Sequence, residues 1–246
     1  MRDTLKYLDY CGTDHKIIHV FVADQQDYEV YKRYLPSDIN LIKGVPTLKA
    51  QRNFIRRYFP EGEVILNFDD DVISLQYVLD NDLDLYIALD AFVEYAYTEM
   101  TKHGTKLFGV FPVANHYFMD DTVTTDLRYI VGAFWGCIND HSPELDITVP
   151  LNKEDFERSI IYYRKFGSIV RFNNICVYTK YFINKGGLHD QRTVETNEAS
   201  IAYLLNKYPG YCTLSNDLKH GFKQIKLIAN PTETNFKQSS VFDLFT

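Results

Sequence analysis

No stretch of this sequence approaches the ~18 to 20 consecutive apolar residues needed to cross a bilayer, so no membrane association is expected. Met1 to Tyr10 carries Arg2, Asp3, Lys6 and Asp9, which is not the pattern of a secretory signal peptide. An excess of positive charge is also missing: 26 Lys and Arg stand against 33 Asp and Glu, a net charge of −7. That balance disfavours a protein that coats nucleic acid through bulk charge. Cysteine is sparse, and Cys11, Cys137, Cys176 and Cys212 form no CxxC, which reads as reduced thiols in a cytoplasm. There is no internal repeat, low-complexity tract or Pro/Gly/Ser-rich linker. Neither GxxxxGK[ST] nor GxGxxG occurs, which disfavours P-loop enzymes and Rossmann dehydrogenases.

What is there is globular: 246 residues, 46% hydrophobic and 24% charged, with 19 Tyr and 17 Phe for a large core and aromatic-lined grooves. The first half alternates strand and helix signals. Lys16 to Ala23 reads as a strand closed by Asp24, Gln26 to Leu35 as a helix stopped before Pro36, and Ile39 to Ile42 as a second strand. Pro46 to Phe59 reads as a helix with proline in its first turn. Leu48, Ile55 and Phe59 share one face of it, and Lys49, Arg52 and Arg56 another. Arg56 and Arg57 are expected on a solvated face. Glu63 to Phe68 is a third strand running straight into Asp69-Asp70-Asp71.

A helix follows with Leu89, Phe92, Val93, Ala96, Tyr97 and Met100 on one face, ending at Gly104. Lys106 to Val113, Tyr129 to Ile138, Ser168 to Phe172 and Ile175 to Tyr178 are strand-like. Asn152 is the expected N-cap of a helix that runs through Tyr163 and stops at Gly167. A last helix carries Ile201, Leu204, Leu205 and Tyr208, and the tail after Gly221 is short strand or loop. The pattern predicts an α/β sandwich with a mostly parallel sheet, at least through residue 113.

The acidic turn carries the strongest chemical signal. Ligands of open α/β sheets bind beyond the carboxyl ends of strands. Asp69 and Asp71 point to one side if the chain stays extended, with Asp70 opposite. Two such carboxylates can hold Mn²⁺ or Mg²⁺, which offsets charge on a diphosphate leaving group. The alternative is a solvated Asx-rich turn capping the next helix.

Gly44-Val45-Pro46-Thr47-Leu48-Lys49-Ala50-Gln51-Arg52-Asn53, followed by Val64 to Asp71, resembles the donor-binding half of a GT-A glycosyltransferase. There an "ARN"-type helix precedes a strand ending in DxD. The closer likeness is to the TET-associated, phage-type glycosyltransferases that act on hydroxymethylated bases in DNA. The resemblance implies one GT-A (Rossmann-like) domain over 1–246, with a donor half at about 15–113, an acceptor half at about 114–215 and a C-terminal segment 216–246. It implies a nucleotide-sugar donor, UDP-sugar foremost, held by Asp24, Lys49, Arg52, Asp69, Asp70, Lys185 and Arg192. The metal ligands would be Asp69, Asp71 and His189. The acceptor would be 5-hydroxymethylcytosine, or its glycosylated form, in DNA.

Lys153-Glu154-Asp155 occupies the place of the family's acceptor-side "xED", which implies Asp155, or secondarily Glu154, as the general base that takes the proton of the attacking hydroxyl. Their other reading is favourable pairing of acids with a helix dipole. Gly132 and Trp135, in Gly132-Ala133-Phe134-Trp135-Gly136, are the implied acceptor contacts, or else parts of a core strand. Lys207, Lys219, His220, Lys223 and Lys226, interleaved with Tyr208, Tyr211 and Phe222, offer a local basic patch for DNA. Other open functions are transfer to a protein or glycan acceptor, a non-catalytic α/β module with a structural cation, and a metal-dependent nucleotidyl- or phosphotransferase.

Overall fold

The computed structural model describes residues 2–80, 82–179, 193–219 and 221–231. The protein is α/β, with a mixed sheet. Helix α1 (Arg2–Tyr10) leads into strand β1 (His19–Val22), helix α2 (Gln25–Tyr31) and strand β2 (Asn40–Lys43). β1 and β2 pair in parallel, His19 opposite Asn40, with α2 as the crossover. Asp24 caps α2 by accepting from the Asp27 amide.

Helix α3 (Leu48–Tyr58) precedes strand β3 (Val64–Phe68). Two antiparallel strands absent from the sequence reading follow at once, β4 (Val72–Leu79) and β5 (Asp82–Tyr86). Then come α4 (Leu89–Lys102), β6 (Leu107–Phe111), the short β7 (Val123–Thr124), β8 (Phe134–Ile138), α5 (Glu154–Phe166) and β9 (Val170–Thr179). Helix α6 (Val194–Lys207) and the hairpin β10 (Cys212–Lys219) and β11 (Phe222–Leu227) complete the fold.

The large sheet has the order β3-β8-β6-β9-β4-β5, with β7 beside β9. Of its pairings only β6 with β9 is parallel. This corrects the expectation of a mostly parallel sheet. A parallel neighbour requires a crossover of a dozen or more residues, and only two residues separate β4 from its neighbour β5. Ser168 to Phe172 and Ile175 to Tyr178 are likewise not separate strands, because β9 runs through both with an irregularity against β6.

The pleat divides the core. On β8, Phe134 faces the layer built from α4 and α1 (Phe92, Ala96, Met100, Tyr7 and Leu8). Trp135 and Cys137 face the other layer, against Ile160, Ile161 and Tyr162 of α5 and Leu204 of α6. Tyr97, expected on the inner face of α4, is exposed, and Glu99 is buried in its stead. Among the described residues no helix is long and apolar enough to cross a membrane.

Candidate functional site

The segment from Gly44 to Asn53 works as a bracket. Gln51 accepts a hydrogen bond from the Val45 amide at 2.8 Å, and a Cβ at Gly44 would displace the Gln51 side-chain amide from it. Thr47, at φ 76°, caps α3. Pro46 therefore precedes the cap and does not fill the first helical turn. One residue past Gln51, Arg52 turns inward. Asn53 ties α3 to the distant loop before α5, donating to Ile147 O and accepting from Ile147 N, each at 2.9 Å.

Arg52 Nη2 donates to Asp69 Oδ1 at 2.5 Å and to the Gly132 carbonyl at 3.2 Å. Arg56, expected on a solvated face, is buried: it donates to the Asp140 carbonyl at 2.5 Å and pairs with Asp146. Arg57 is exposed and pairs with the other Asp146 oxygen. Lys49 lies one turn before Arg52 on α3.

The acidic turn is anchored at both ends. The Asp69 amide donates to Ala133 O at 2.9 Å. Thr4, from α1, donates its hydroxyl proton to Asp69 O at 2.7 Å and accepts from the Val72 amide at 3.1 Å. Asp69 and Asp71 are partly buried and Asp70 is exposed, in a turn and not in the extended chain that the alternation supposed. Burial, and then the charges of Asp69 and Asp70, raise the Asp71 carboxyl above its ordinary range. A hard divalent cation would relieve that crowding, so the donor set fits Mn²⁺ or Mg²⁺. Among the described residues no group of three or more His, Cys, Asp or Glu forms a metal-binding set. His189, Lys185 and Arg192 lie outside the described residues.

The two acids of Lys153-Glu154-Asp155 reach this turn from the start of α5. Lys153, in the left-handed conformation at φ 68°, is the N-cap position, not Asn152. The Asn152 side-chain oxygen is buried with no hydrogen-bond partner. Glu154, 8% exposed, packs where a Cβ on Gly132 would meet its Oε1 at 3.2 Å. Its carboxyl is pushed up to about 7 by burial and by Asp155. Arg158 and Arg52 oppose that shift, and Asp69 adds to it. Asp155, more open, accepts from the Tyr129 hydroxyl at 2.5 Å and from the Phe156 amide at 2.9 Å. Arg52, Asp69, Gly132, Glu154 and Asp155 thus form one constellation beyond the carboxyl end of β3.

Compared with known proteins, the chain matches no family model, no curated protein and no solved structure.

Trp135 offers no open ring face beside this constellation. It is buried, and the Arg158 guanidinium covers it at 4.1 Å from the ring centroid. Arg158, itself buried, donates to Ile130 O at 3.0 Å. Arg52, Arg56, Trp135 and Arg158 line a cavity of about 20 Å³, room for one water molecule, and each has a buried N–H without a protein partner.

Asp24 is exposed and engaged as the α2 cap. Of the C-terminal basic residues, Lys207 pairs with Glu157 at 3.2 Å and Lys223 with Glu198 at 3.1 Å. Tyr208 is buried and donates to Glu157 at 2.6 Å. The side chain of Lys219, and His220, lie outside the described residues.

Sequence reasoning missed Thr4, Tyr129 and Arg158. Only Arg158 had a local signal, as the opposite charge one helical turn after Glu154.

Proposed function

We propose that the protein is a metal-dependent glycosyltransferase of GT-A type that moves a sugar from a nucleoside-diphosphate sugar, UDP-sugar foremost, to a hydroxyl. The observation that carries this reading is the approach of Arg52, Asp69 and the Glu154–Asp155 pair around Gly132. A structural cation at the acidic turn would need neither a buried arginine nor a second pair of acids. Asp69 and Asp71 would hold the Mn²⁺ or Mg²⁺, which when bound neutralises the departing diphosphate.

Arg52 fixes the orientation of Asp69 through their short ion pair. Gly132 is buried, and its lack of a side chain lets the Glu154 carboxyl pack against its backbone. Asp155 is the more open carboxylate and takes the proton of the acceptor hydroxyl as its oxygen bonds to the sugar and the sugar–phosphate bond breaks. The electron pair of that bond leaves on the diphosphate oxygen. Tyr129, bonded to Asp155, positions it.

The resemblance read from the sequence extends the proposal to 5-hydroxymethylcytosine in DNA as acceptor. The test is to incubate the protein with UDP-sugars, Mn²⁺ and hydroxymethylated DNA, digest, and weigh the nucleosides. A mass increase of one sugar is expected. Asp155→Asn should lower turnover by ~10²- to 10⁴-fold with donor affinity nearly unchanged. Transfer to a peptide or free-sugar acceptor alone would remove the DNA assignment, and no transfer to any acceptor would remove the whole reading.

A further inference from the structure

Beside Tyr129, the hydrogen-bond partner of Asp155, lies a second, more open cleft of about 350 Å³, within the usual size range of small-ligand sites. Its floor is aromatic. Tyr129 and Phe156 pack with ring centroids 4.5 Å apart and planes tilted by 32°. Its rim is basic, formed by Arg128, Arg171 of β9 and Lys226 of β11. The cleft shares a wall with the candidate site, because Tyr129 donates to Asp155 and Phe156 is the next residue of α5.

The two arginines have partners of their own. Asp126 engages Arg128 through two bonds of 2.9 Å. Arg171 donates through Nε to Asn173 at 2.8 Å and lies over Phe111. Burial and the neighbouring Arg128 pull the Arg171 pKa down to about 10, against Asp126 and Asp120. The charges of Arg128 and Arg171 oppose each other here in a protein whose net charge is −7. An anion entering the cleft would relieve that repulsion.

We propose that this cleft is the acceptor subsite and that it takes a phosphate beside a ring. The occupant would be a nucleotide unit with its phosphate toward Arg128, Arg171 and Lys226 and its ring against Tyr129 and Phe156. Its hydroxyl would then reach Asp155 past Tyr129, which lines the cleft and bonds to Asp155. The chemistry is that of nucleic-acid binding by stacking and phosphate pairing on a small scale, and it accommodates a protein that is acidic overall. The acceptor role rests on the glycosyltransferase reading, but occupancy of the cleft does not.

The experiment is calorimetric titration of the full chain with deoxycytidine monophosphate, deoxycytidine and glucose 6-phosphate, with UDP–Mn²⁺ titrated separately. The nucleotide should bind, and both the uncharged nucleoside and the sugar phosphate should bind more weakly. Arg171→Gln should weaken nucleotide binding by about 10-fold, as loss of a charge-assisted contact does. Lys226→Gln, at an exposed position that tolerates change, should weaken it by about 3-fold. Neither substitution should alter UDP–Mn²⁺ binding, so loss of the donor reading and loss of this one are separately visible. Nucleotide binding that is absent, that is unchanged in both variants, or that glucose 6-phosphate equals would overturn the proposal.

Discussion

Replacing Arg52 with methionine keeps the aliphatic stem on α3 and removes the charge that joins Asp69 to Gly132. The Arg52 side chain is 7% exposed and that of Asp69 38%. Breaking a fully buried ion pair costs ~3–5 kcal/mol, mostly through the charge left behind. Here that charge is Asp69, which is wet enough to recover part of its hydration, so the cost falls below that range. The Gly132 carbonyl loses a donor, while the unpartnered Arg52 Nε–H is also removed, and these act in opposite directions. The net expectation is a loss of about 2–3 kcal/mol, or ~4–12 °C in Tm for a chain of this size. The assay is urea unfolding of wild type, Arg52→Met, Asp69→Asn and the double variant. The two changes should be coupled by about 1 kcal/mol or more. Additive losses would show that the 2.5 Å contact contributes nothing, and would refute the argument that Arg52 positions the acidic turn.

Glu154→Gln tests the buried acid by pH. A carboxyl raised to about 7 by folding keeps its proton while the unfolded chain loses one near 4.5, so stability falls as pH rises between those values. Measured in EDTA, the glutamine variant should gain on wild type across that window, with a slope of at most about 1.4 kcal/mol per pH unit; parallel profiles would contradict it. Glu157→Gln should cost about 2–4 kcal/mol. This buried carboxylate accepts from Tyr208, the Thr148 hydroxyl, and the Thr148 and Val149 amides at 2.6–2.7 Å. Burial works against its charge, but these donors outweigh it and lower its pKa, so the cost should be present above the unfolded pKa and shrink as pH falls below it. Denaturation at pH 7 and at pH 3 reads both effects.

The part of the site legible in the sequence is the part built by neighbours along the chain. The helix from Leu48 to Tyr58 and the strand from Val64 to Phe68 have strong local signals, and the acidic turn is contiguous. The different burial of Asp70 from Asp69 and Asp71 belongs to a turn between β3 and β4, which the strand pattern could not supply. Thr4, Tyr129 and the inward turn of Arg56 were not legible, because their partners lie at distant points of the chain: Asp69 and Val72, Asp155, and Asp140 and Asp146. Strands β4 and β5 were not legible because Asp82-Leu83-Asp84-Leu85 lacks the β-branched residues that mark strands, and with them went the antiparallel character of the sheet. Asn152 has the composition of an N-cap, but the left-handed turn at Lys153 moved the helix start by one residue. Trp135 looked equally suited to a sugar platform or a core position. Only the Arg158 guanidinium over its ring, brought there by the packing of α5 on β8, decides for the core.

The central claim is that the turn from Asp69 to Asp71 receives the diphosphate of a nucleotide donor through a divalent cation. Calorimetric titration of UDP into wild type and Asp71→Ala, each with Mn²⁺ and with EDTA, tests it most directly. The account predicts that wild type binds UDP with Mn²⁺ and loses that binding in EDTA, and that the folded Asp71→Ala variant fails to bind under either condition. An Asp71→Ala variant that binds UDP–Mn²⁺ as tightly as wild type would contradict it.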